Sequence, residues 1–218
     1  MLGYWASRGR PIYSYMAKGQ TIPYISDIAA QEIQPVFIVG SLISVVLLNL
    51  SLVFKSRHDR AYIKLLRSSE KHRIHQAWLS YLSIALTATG SIGLVLLARY
   101  DRLQYPGLHL AFLTLYVGAF SMCAAVASLA CLRSCMRSGW RHQLLVAVLI
   151  IRLCTAILAA TLGLAFWYAW KHPEIPIDFC PIIEWVLGIC FAGHIACFAF
   201  DLLPLSLGFR KGVYMELV

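Results

Sequence analysis

Three ionisable residues stand close to the ends of long apolar runs, and their types suit acid–base chemistry. Asp27 precedes the first run, His109 lies just inside the third, and Glu184 lies just inside the fifth. Two carboxylates and an imidazole in one polar layer could move protons on a lipid head group, which makes Glu184, His109 and Asp27 the catalytic candidates if there is catalysis. They could equally fix the register of packed helices, because buried charge is also retained for specificity. Arg152, His194 and Asp201 lie deeper in the apolar runs. An ionisable residue at that depth costs roughly 2.5–3.5 kcal/mol on the lenient insertion scale, so it marks function or a specific internal pairing. Arg152 is expected to pair with Asp201 or His194 in a second layer, or to snorkel to the surface.

Other chemistry finds no support. The seven His residues show no His-x-x-x-His pair or other ligand spacing, so no metal site is expected. A nucleophile-elbow Ser is absent, and no cofactor is expected. Of the seven Cys, Cys123, Cys154, Cys190 and Cys197 fall inside apolar runs, which argues against a disulfide framework. Cys131 and Cys135 stand at the edge of a basic stretch, where they could carry reversible palmitate or pack as buried thiols.

Positive charge is concentrated rather than spread. Twelve of the 19 Lys and Arg residues lie in 55–76, 133–142 and the tail after Pro204. That is how cytoplasmic loops between membrane spans look, not how a nucleic-acid face looks, so no nucleic-acid partner is expected. Within 55–76, Lys64, Arg67, Lys71 and Arg73 are the candidates for contact with anionic inner-leaflet lipid, as phosphatidylserine or a phosphoinositide. The alternative is that the cluster serves topology alone.

Positioning these residues requires lipid. The chain of 218 residues is 60% apolar and 13% charged, against roughly 45–50% and about 25% for soluble domains. A helix needs about 20 apolar residues to cross the hydrocarbon core, with every backbone polar group satisfied inside the segment. Five stretches meet that requirement: 36–54, 77–98, 107–132, 143–170 and 181–203. The expected fold is an all-α polytopic membrane bundle of five transmembrane helices. No cleavable signal peptide is legible in 1–35, so the first span is expected to act as its own anchor. When the spans alternate, all the Lys- and Arg-rich stretches fall on one side, which predicts the N-terminus outside and the C-terminus in the cytoplasm. Trp167, Trp170 and Trp185 cluster at outer span ends, and Trp78 and Trp140 at inner ones, as amphipathic rings at head-group level do. Small residues at four-residue spacing, such as Ala156 with Ala160 and Ala159 with Gly163, suit close helix approach. The organisation reads as an outer segment 1–35, a transmembrane domain 36–204 and a tail 205–218.

Several of these residues fall into a known pattern. The run Pro23-Tyr24-Ile25-Ser26-Asp27, followed by Pro35-Val36-Phe37, resembles the signature loop of the FRAG–DRAM–Sfk family. That family includes the damage-regulated autophagy modulators and the fungal suppressor-of-four-kinase protein. Glu184-Trp185 resembles its second signature, Asp201 after Phe198 and Phe200 the end of the last span, and His109 with Ala111-Phe112 the start of the matching helix. The resemblance runs from about residue 22 to 204. It departs at one point: family members usually have a further span before the signature loop, whereas residues 1–22 carry Arg8, Arg10, Lys18 and Gln20 and cannot cross lipid.

The resemblance implies a non-enzymatic membrane regulator of lipid or phosphoinositide homeostasis or of membrane trafficking, as a kinase scaffold or an autophagy modulator. A phosphatidylinositol kinase complex is the implied protein partner. The plasma membrane is the favoured location, with vacuole, lysosome, Golgi or endoplasmic reticulum as alternatives. Participation in lipid or GPI-anchor remodelling, using the outer Glu, His and Asp, is the second implication.

Overall fold

A computed structural model describes the backbone of residues 1–13, 16–30, 33–65, 70–102, 104–137 and 143–211. It describes their side chains apart from 58–59, 61–65, 70–73, 134, 137, 144–145 and 199–211. The described residues hold helices and no strand. Two short helices, α1 (Leu2–Ser7) and α2 (Ile25–Ala29), precede five long ones: α3 (Gln34–Leu65), α4 (Glu70–Arg99), α5 (Pro106–Arg137), α6 (Gln143–Lys171) and α7 (Phe179–Lys211).

Each long helix contains a stretch able to cross a membrane, namely Gln34–Arg57, Ile74–Arg99, Pro106–Arg133, Val146–Lys171 and Phe179–Phe198. These overlap all five expected spans. Polarity is distributed inside out relative to a water-soluble bundle. Val36, Trp78, Leu164 and Ile189 are each at least 70% exposed, whereas Thr87 is fully buried and Arg152 is 2% exposed. Exposed apolar surface on this scale is stable only against hydrocarbon. The chain is an integral membrane protein.

Successive helices pack on one another, and α7 returns to α3, closing a ring. The bundle therefore has two ends. The motif end carries α2 and the connections 100–105 and 172–178. The basic end carries the connections after α3 and after α5. At the basic end the structure differs from the sequence expectation of a loop at 55–76: α3 runs on to Leu65 and α4 starts at Glu70. No Gly or Pro interrupts 55–76, and its Lys, Arg, Gln and Leu are good helix formers, so the helices continue past the apolar stretch. Lys64, Lys71 and Arg73 are thus helical, while Arg67 lies outside the described residues.

The tightest approach is between α4 and α5. A Cβ on Gly93 would lie 2.9 Å from the Tyr116 backbone nitrogen, and one on Gly90 would lie 2.7 Å from the Phe120 ring. The small buried residues Ser83, Thr87 and Ser91 continue that face of α4, and Thr87 Oγ1 lies 3.1 Å from Cys123 Sγ. Tyr116, Phe120 and Phe191 then stack edge to face, with centroids 4.5–5.3 Å apart, joining α5 to α7. The α6 pairs Ala156–Ala160 and Ala159–Gly163 instead face an internal cavity. Close approach needs a partner backbone opposite the small residues, and periodicity along one helix does not say whether one is there.

Candidate functional site

The motif end is built around one loop. Residues 20–24 lead into α2, whose first backbone N–H groups have no partner within the helix. Two carboxylates supply the missing acceptors. Asp27 turns back and its Oδ2 accepts the Tyr24 N–H at 3.0 Å. From the far end of the chain, Glu184 Oε2 accepts the Ile25 N–H at 3.0 Å, and the same carboxylate accepts from the Ser26 backbone. Negative charge is also favoured there by the helix dipole.

Two further groups near the start of α7 hold the same loop. Trp185 Nε1 donates to the Pro23 carbonyl at 2.9 Å. Asp178 accepts the Thr21 and Ile22 amides at 2.7 and 3.0 Å and the Thr21 hydroxyl at 2.5 Å. Within the loop, the Gln20 side-chain oxygen Oε1 accepts the Ala17 N–H and its Nε2 donates to the Ile22 carbonyl.

The three acid–base candidates do meet. Asp27 is 4% exposed and His109 6%, and the charge of Asp27 acts on both His109 and Glu184. His109 Nδ1 lies 2.8 Å from the Tyr100 carbonyl. A carbonyl only accepts, so Nδ1 carries a proton, which in the neutral ring leaves Nε2 as the acceptor. Arg102 completes the layer as the residue that sequence reasoning passed over. Its guanidinium lies 4.0 Å from Asp27 Oδ1, 4.3 Å from the Tyr24 ring centroid and 5.3 Å from that of Trp170. A cation held between two aromatic faces and a carboxylate joins α2, the 100–105 connection and α6. The available signal was its position: it is one of few basic residues on the side poor in them. Burial lifts the Asp27 carboxyl above its ordinary value, against the opposing pull of the Tyr24 amide and Arg102. Burial likewise pushes the Tyr24 hydroxyl up.

Asp178 is the other residue that the sequence reading does not single out. It immediately precedes α7, the usual place for a cap, yet its side chain serves a distant loop. Desolvation raises its carboxyl, but the hydrogen bonds from Thr21 and Ile22 outweigh that and hold it below the ordinary value. A depressed folded value means that its stabilisation is complete above the unfolded carboxylate range and is lost as pH falls through the folded value. Protection of the Thr21 and Ile22 amides from hydrogen exchange, corrected for intrinsic rates, should therefore fall on acidification. In Asp178→Asn it should stay low and flat across the same range. A pH-independent wild-type profile would remove this clamp.

The deeper group adds an aromatic contact to the expected layer. Arg152 lies over the Phe198 ring at 5.0 Å, and His194 meets the same ring edge to face at 5.0 Å. Phe198 thus receives both, and burial of Arg152 corrects the snorkelling alternative. Asp201 follows three residues on in α7, and its side chain lies outside those described. Cys131 and Cys135 pack with Leu149, 6% and 0% exposed. That is the buried-thiol alternative, since a palmitate needs an accessible sulfur. Among the described residues no group of His, Cys, Asp and Glu suits a metal ion.

Five apolar spans carrying a loop locked to the last of them define a multi-pass membrane protein of the all-α class. The family model described as the Frag1/DRAM/Sfk1/Cwh43P N-terminal domain matches residues 1–205, and the chain belongs to that family. No curated protein and no solved structure matches it.

Proposed function

We propose that this protein is a non-enzymatic regulator of membrane lipid or phosphoinositide homeostasis, acting as a fixed platform rather than a catalyst. The observation that carries the reading is the use of both outer carboxylates: Asp27 and Glu184 each accept backbone N–H groups of the signature loop. A general acid or base must be able to exchange protons with a substrate, and these two are occupied in holding the chain. The basic end then works on the cytoplasmic side, where the positive-inside rule puts it. Lys64, Arg67, Lys71 and Arg73 there favour anionic inner-leaflet lipid or a phosphatidylinositol kinase complex docked on it. The plasma membrane is the favoured site, and an autophagic role at a lysosomal or vacuolar membrane is the variant of the same reading.

Titration of the solubilised protein with phosphatidylserine in mixed micelles tests the platform. At about 1 kcal/mol per basic residue, Lys64→Gln with Lys71→Gln should weaken binding about thirtyfold. An unchanged affinity would remove lipid contact from the proposal.

A second reading, lipid or GPI-anchor remodelling, draws support from one feature. Glu184 is surrounded by protein yet keeps accessible surface, because that surface borders the cavity that His109 also lines.

A further inference from the structure

Inside the ring of helices lies a half-open cavity of about 1310 Å³. Pockets for drug-sized molecules occupy roughly 300–1,000 Å³, so this one is large. Its walls are mostly apolar, with Ala156, Ala159 and Gly163 of α6 on one side and Phe191 of α7 on another. The space is real at the level of single atoms: a Cβ added at Gly40, Gly118 or Gly163 would meet nothing within 4 Å. Left empty, an apolar void of this size would forfeit more contact energy than a folded domain has to spare. Apolar walls do not hold water well. Hydrocarbon is the filler that fits.

The charged lining is confined to the motif end, and it has both signs. Asp101 and Glu184 stand there as acids and Lys171 as a base, with the Lys171 ammonium 3.9 Å from the Trp167 ring centroid. From Glu184 to His194 the α7 wall runs ten residues, about 15 Å at the helical rise. That is half of a hydrocarbon core of about 30 Å, the depth of one leaflet.

The geometry points to a binding site for one zwitterionic glycerophospholipid taken from the leaflet at the motif end. Its acyl chains enter the cavity, whose walls come from α3, α4, α5, α6 and α7. Its phosphate faces Lys171 and its ammonium group faces Asp101 and Glu184. With acids and bases both present at that end, a head group that carries both signs is the complementary one, and charge complementarity selects the zwitterion. This site goes beyond the platform reading and lies at the opposite end from Lys64 and Lys71.

The test uses the full chain in phosphatidylcholine nanodiscs doped with phosphatidylcholine that carries a diazirine at an acyl-chain terminus. After irradiation, adducts are mapped by mass spectrometry. Wild-type protein should be labelled on cavity residues such as Thr155 and His194, as well as on the lipid-facing Ile150 and Ile157. Gly163→Phe with Gly118→Phe displaces at least two methylenes' worth of burial, so interior labelling should fall about tenfold or more. Labelling of Ile150 and Ile157 should stay constant, as the internal control. Absence of interior adducts in the wild type overturns the site, as does undiminished interior labelling in the filled variant. Stronger interior labelling by the matched phosphatidylserine probe overturns the choice of head group. None of these results depends on the phosphatidylserine titration at Lys64 and Lys71, so either proposal can fail alone.

Discussion

Glu184→Ala should release the signature loop from the last helix and lower the stability of the protein by about 2–4 kcal/mol. The substitution strips the acceptor from the partly buried Ile25 and Ser26 amides at once, and a polar group left unsatisfied away from water costs about 1–3 kcal/mol. For a chain of this size each kcal/mol corresponds to about 2–4 °C in unfolding temperature, so a drop of about 5–15 °C is expected in a thermal scan of the solubilised protein. Hydrogen exchange should localise the loss to residues 21–29. Glu184→Gln keeps a carbonyl oxygen of the same reach and should retain most of the stability and the cellular function. That variant also separates the two functional readings. A well-folded Glu184→Gln protein that loses a lipid product would favour acid–base remodelling chemistry, and the platform reading would then fail.

Gly93→Leu is expected to be at least as damaging, for a steric rather than a polar reason. A Cβ there lies 2.9 Å from the Tyr116 nitrogen, 3.1 Å from its Cα and 3.3 Å from the Phe112 carbonyl oxygen. All three are backbone atoms, so no rotamer change relieves the overlap. The two helices must separate, and with them go the Thr87–Cys123 contact and the Tyr116–Phe120–Phe191 ring cluster. Overpacking costs typically 1–3 kcal/mol when side chains can adjust, and here about 3 kcal/mol or more is expected. Gly107→Leu, built into open space away from the cavity, serves as the paired control and should leave the unfolding temperature close to the wild type. Equal stability of the two variants would show that α4 and α5 do not approach closely at Gly93.

The legible part of this protein was the part governed by solvent. Five uninterrupted apolar stretches leave a chain few alternatives, and helices span all of them. The meeting of Asp27, His109 and Glu184 was legible for the same reason, since each stands at a comparable distance from a span end. Other features depended on which faces turn toward each other, and one-dimensional spacing does not encode that. The small-residue pairs of α6 have the same periodicity whether they meet a helix or a void, and Gly93 differs from Gly163 only in what lies opposite. Asp178 was illegible because a carboxylate just before a helix reads as that helix's own cap. The helical course of 55–65 and 70–76 was missed by equating basic with loop, although a Lys- and Arg-rich stretch without Gly or Pro has no reason to leave the helix.

The fastening of residues 21–25 by Asp178, Glu184 and Trp185 joins positions 156–162 apart in the chain. During synthesis the early segment must therefore wait, its amides served by water or head groups, until α7 has left the ribosome. Arrival of α7 then closes the ring and seats the segment in a single late event. A nascent chain stalled before that point would show an unfastened strap at the membrane surface, which gives quality-control machinery a simple mark by which to tell unfinished molecules from complete ones.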